Sequence, residues 1–78
     1  MHIQILGTGC ARCSRLEALV RERAAELRPD AVIEKVDDIM KMLHLGIMST
    51  PSVLIDGRPV AVGRVPTRDE IDAWLTAR

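Results

Sequence analysis

Across one glycine turn, Gly7-Thr8-Gly9, the apolar residues of this chain change their spacing from two to three and four. Before the turn, Ile3 and Ile5 alternate with His2 and Gln4, the period of a β-strand. After it, Cys13, Leu16, Val20, Ala24 and Leu27 recur at helical steps, with Arg15, Glu22 and Glu26 between them. That stripe predicts an amphipathic helix over residues 10–28, about five turns long. Glu17 and Arg21 form a favourable i, i+4 pair on it. Pro29 ends it, because a residue before proline is pushed out of the α region. A strand handed straight to a helix leaves few choices: the next strand returns parallel to the first, through a right-handed crossover.

Residues 31–36 are β-branched and half apolar, a second strand. Residues 39–45 read as a short helix with Ile39, Met40 and Leu43 on one packed face, closed by Gly46. Residues 51–56 and 59–62 flank Asp56-Gly57, a tight-turn signal, and read as a hairpin. Thr67 and Glu70 make a capping box for a last helix that buries Ile71, Trp74 and Leu75. The order β-α-β-α-β-β-α predicts an α/β fold, a four-stranded mixed sheet with helices on both faces. At 78 residues the chain has room for one domain, residues 1–78, with one small core. Phe and Tyr are absent, so that core is built from aliphatic residues and Met, with Trp74 as its one large ring.

Charge and composition exclude several functions. Eleven basic residues cancel eleven acidic ones, which argues against nucleic acid as an electrostatic partner. One aromatic residue cannot build a base-stacking platform. No apolar run approaches the ~20 residues of a membrane helix, and the N-terminus lacks the pattern of a signal peptide. The expectation is a soluble, cytoplasmic protein, a monomer that binds neither nucleic acid nor membrane.

Cys10-Ala11-Arg12-Cys13 stands where the first strand passes into the first helix. Unpaired N–H groups and the helix dipole there favour a thiolate at Cys10, and Arg12 adds a positive charge. Cys13, one turn further in, faces the core side and is placed to attack a mixed disulfide formed on Cys10. Metal sites also use Cys-x-x-Cys, so the pair alone leaves two readings open. A second feature, Met48-Ser49-Thr50-Pro51, leads from the short helix into the third strand. A proline is tolerated at a strand start because it need not donate to the ladder.

Together these segments resemble the thioredoxin superfamily, and closely its small bacterial and archaeal redox-active disulfide proteins. The resemblance covers essentially the whole chain. It rests on Gln4-Ile5-Leu6-Gly7-Thr8-Gly9-Cys10 with Cys13, Met48-Ser49-Thr50-Pro51, Ile55-Asp56-Gly57 and Gly63-Arg64-Val65-Pro66. It implies the strand order 2-1-3-4, a cis Pro51 facing the dithiol, and a Thr50 backbone that pairs with an extended substrate segment. It also implies a thiol–disulfide oxidoreductase with no cofactor beyond a redox-active Cys10–Cys13 disulfide. Its partners would be protein disulfide substrates and a thiol reductant or reductase. The chain departs from typical thioredoxins where they have Trp, Gly and Pro around the cysteines: it has Gly9, Ala11 and Arg12. Gln4 stands where they carry a buried acid, so water or another group moves the proton for the inner thiol, or turnover is slow.

The alternative is a soft-metal module binding copper(I) or zinc through the thiolates. Copper chaperones also set Cys-x-x-Cys after a first strand, but their element order ends on a strand. Both the order of elements and Pro51 favour the redox reading. His2 reads as a surface or edge residue and His44 as the end of the short helix, where a cation suits the dipole. Met40 and Met42 are expected to pack, whereas Met48, close to the Thr50-Pro51 loop, is expected to form part of an apolar rim for a protein partner.

Overall fold

The computed structural model describes residues 1–7 and 11–77. They form β1 (His2–Leu6), α1 (Ala11–Leu27), β2 (Val32–Val36), α2 (Ile39–His44), β3 (Ser52–Ile55), β4 (Arg58–Val62) and α3 (Arg68–Thr76). The elements follow the expected order, and the sheet has the expected sequence of strands, β2-β1-β3-β4. β1 and β2 are parallel, with Gln4 beside Glu34 and Leu6 beside Val36. β3 runs antiparallel to β1, placing Ser52 beside Leu6, and β4 closes the hairpin as an edge strand. The hairpin turns on Asp56 and Gly57, both with positive φ (50° and 83°), the conformation a two-residue turn needs to match strand twist. Pro59 sits on β4, an edge strand, where its missing N–H costs least.

Alternation along β1 divides the interior into two layers. Ile3 and Ile5 pack with Leu16, Val20 and Ala24 of α1 and Ile71 and Leu75 of α3. Leu6 turns to the opposite face, with Val36, Leu54, Met42 of α2 and Ile47. Trp74 is only half-buried and packs at the margin of the first layer rather than at its centre.

Two arginines depart from the reading of α1 as a simple amphipathic helix. Arg23 is 6% exposed, a charge on the buried stripe. Its Nε donates to Asp72 Oδ1 at 2.7 Å and its Nη1 to Glu26 Oε2 at 2.7 Å, so its cost of burial is met by two carboxylates. Arg28, one residue past the end of α1, donates to the carbonyls of Leu75 and Ala77, which lie at the end of α3. Periodicity cannot reveal either contact, because the partner helix lies 49 residues away in both pairings that matter, Arg23 with Asp72 and Arg28 with Ala77. The expected Glu17–Arg21 pair is present at 3.0 Å.

The capping box on α3 is formed, and Glu70 carries a further load. Its carboxylate accepts both terminal N–H groups of Arg64, at 2.9 and 2.7 Å, as well as the Thr67 backbone N–H. Arg64 first, then that N–H, hold the Glu70 pKa down at about 2, below its ordinary 4.5. A depressed folded value means that the ionised group stabilises the fold above the unfolded pKa, and the contribution fades as pH falls through the folded one. Thermal melts of the wild type and Glu70→Gln should therefore differ at about pH 6 and converge near pH 2. A gap that persisted at the acid end would mean that the carboxylate charge is not what matters.

Candidate functional site

The site lies at the end of the sheet where β1 and β2 both finish. Gly7 N–H donates to Val36 O at 3.0 Å, extending the β1–β2 pairing by one residue. Because β3 is antiparallel and starts beside Leu6, residues Thr50 and Pro51 come to the same end. So does the N-terminus of α1, which begins four residues beyond Gly7.

Cys13 lies in the first turn of α1 and is 2% exposed. It rests directly on the Gly7 backbone: a Cβ at Gly7 would fall 2.3 Å from Cys13 Sγ and 2.9 Å from its Cβ. Those separations are far inside van der Waals contact, so only glycine admits the sulfur here. Sequence reading takes Gly7 as part of a turn; its second task, making room for a thiol, is a tertiary fact. Ala11 and Arg12 are exposed in the same turn, which contains no acidic residue. Gly9 and Cys10 lie outside the described residues.

The Thr50–Pro51 peptide bond is cis, with Pro51 buried and Thr50 exposed. Thr50 and Met48 line a pocket of about 310 Å³ with Ile39, Met42, Leu43 and Ile47. Met48 is 85% exposed. The expected packed face of the short helix is corrected here: Met40 is 61% exposed and Leu43 48%, while Met42 is the buried methionine. A six-residue helix turns fewer than two times. It can seat only one side chain, Met42, on the sheet, and Leu45 and Ile47 beyond its end complete the layer. Ile39 and Leu43 are left to form a wall of the open pocket.

Gln4 is buried, and its Nε2 donates to Glu34 Oε1 at 3.2 Å. The Glu34 carboxylate also meets His2 Nε2 at 3.0 Å and accepts from Lys41. Lys41 first, then Gln4, lower the Glu34 pKa. On the pleat, Gln4 shares the α2 face with Leu6, whereas Gly7 and Cys13 meet on the α1 face. The amide thus serves a polar network on β2 and α2. His44 is exposed in the last turn of α2, where its position suits the helix dipole. Among the described residues, no three or more His, Cys, Asp or Glu side chains gather as a metal site. Nor is any described helix long and apolar enough to cross a membrane.

A four-stranded mixed sheet of this order, with a cysteine in the first turn of the helix after β1 and a proline immediately before β3, defines a thioredoxin-like fold. The family model described as a thioredoxin domain matches residues 1–76. A thioredoxin of Methanothermobacter thermautotrophicus is 42% identical over 76 residues, which cover 97% of this chain and 99% of the relative. A thioredoxin of Methanocaldococcus jannaschii is 36% identical over 73 residues, covering 94% and 84% of the two chains. The chain belongs to the thioredoxin family.

Proposed function

We propose that this thioredoxin-family chain is a cytoplasmic protein thiol–disulfide oxidoreductase that works as a monomer through Cys10 and Cys13, with no other cofactor. The observation that carries the reading is Cys13, buried against Gly7 at the same sheet end as the Thr50–Pro51 loop. In the reaction, the Cys10 thiolate attacks one sulfur of a substrate disulfide and expels the other as a thiolate, which takes up a proton. Cys13 then gives up its proton and attacks Cys10 Sγ. The second substrate sulfur leaves, and the Cys10–Cys13 disulfide remains. Two electrons have passed to the substrate, whose two sulfurs take one proton from Cys13 and one from solvent, and a thiol reductant or reductase returns the electrons to the protein. During the first step the substrate segment lies along Thr50, and Met48 with its pocket receives neighbouring apolar side chains.

The test is the rate of iodoacetamide alkylation against pH on the reduced protein, with the modified cysteine identified by mass. One fast thiol is expected, at Cys10, titrating well below the ~8.5 of an unperturbed cysteine. Two slow thiols near ~8.5, both protected by zinc or copper(I), would overturn the reading in favour of a metal-binding module.

A further inference from the structure

We infer that Ser52 is a positioning residue for the substrate-pairing loop, acting through a hydroxyl that ties two loops together at the dithiol end of the sheet. The inference rests on the redox reading above and adds to it the element that holds residues 48–51 in place.

Ser52 is the first residue of β3 and is 0% exposed. A buried hydroxyl at the end of a strand is costly unless it is satisfied, and this one is engaged on both sides. Its O–H donates to Ser49 O at 2.5 Å, and its oxygen accepts the N–H of Gly63 at 3.3 Å. The first bond closes the loop that contains Thr50 and Pro51 onto the strand that follows it. The second joins that loop to the start of the β4–α3 connection. The two loops also touch directly: a Cβ at Gly63 would stand 3.2 Å from Ser49 Cβ, and the φ of Gly63 is +72°. Only glycine takes that backbone conformation cheaply while letting the Ser49 side chain approach. Arg64, the next residue, is held by Glu70 at the N-terminus of α3. A chain of contacts therefore runs from the α3 cap through Gly63 and Ser52 to the backbone that meets the substrate.

The tie itself consists of the Ser52 hydroxyl, the Ser49 carbonyl and the Gly63 N–H. Its loss should loosen the loop on which a polypeptide substrate pairs and leave thiol chemistry as it was. The Ser49 carbonyl lies in an exposed loop and can turn to water, so Ser52→Ala is expected to fold.

The experiment compares wild type and Ser52→Ala with insulin as protein disulfide and with dithiobis(nitrobenzoic acid) as a small disulfide that needs no strand pairing. For insulin, KM is expected to rise about three- to tenfold in Ser52→Ala with kcat within twofold, the scale of one hydrogen bond. Rates with the small disulfide and the pH profile of cysteine alkylation should be unchanged. An unchanged insulin KM in an active protein would overturn the positioning role alone. A wild type inert toward both disulfides would overturn the redox reading and, with it, this inference. Amide exchange of Gly63 in the wild type gives a second measurement that needs no variant. Protection of that N–H supports the tie, and exchange at the rate of an open loop overturns it.

Discussion

Gly7→Ala is expected to cut turnover of protein disulfides by about 100-fold, because it displaces the inner thiol by something near an ångström. A Cβ at this position would stand 2.3 Å from Cys13 Sγ, and the neighbours leave no easy escape. On one side Gly7 is pinned by its N–H bond to Val36 O, and on the other Cys13 is held in the first turn of α1. Either the strand end or the helix start must yield. The same overpacking should lower stability by about 1–3 kcal/mol, read as a fall in the urea midpoint at unchanged slope. Wild-type activity and stability in Gly7→Ala would show that Cys13 does not rest on this backbone, and the proposed role of Cys13 as resolving thiol would have to be abandoned.

Cys13→Ser should abolish catalytic turnover while leaving the first chemical step intact. Serine fits the space of the buried thiol beside Gly7 but cannot displace a sulfur from Cys10. The reaction then stops after the attack, and a covalent complex with the substrate protein accumulates, visible on a non-reducing gel and dispersed by dithiothreitol. Cys10→Ser, which lacks the thiolate proposed to attack, should trap nothing. Continued turnover by Cys13→Ser would mean that another thiol resolves the complex, and the assignment of Cys13 would fall.

Local signals carried most of the fold into view. The change of apolar period at Gly7, the Asp56-Gly57 turn, Pro29 after α1 and the Thr67–Glu70 box each act within a few residues, and each element they delimit is present. In the short helix, period and packing disagree. Period alone favoured a packed face containing Met40 and Leu43, yet a helix of six residues obeys the layer it sits on, and Met42 won. No local signal marks Arg23 as a charge on the inner stripe, because its partner Asp72 is supplied by a helix distant in sequence.

The candidate site divides along the same line. Sequence by itself determined the cysteine spacing, the proline immediately before β3 and the order of elements, because each is written in residue types and short separations. What only the tertiary structure decided is which backbone positions come together around them. Gly7 must lack a side chain because a sulfur occupies its place, the Ser52 hydroxyl finds partners in two loops that converge on it, and Gly63 packs close against Ser49. These are contacts between segments brought together by a parallel crossover and an antiparallel hairpin. Their cause is packing at short range in space between residues far apart along the chain, and no local pattern encodes that.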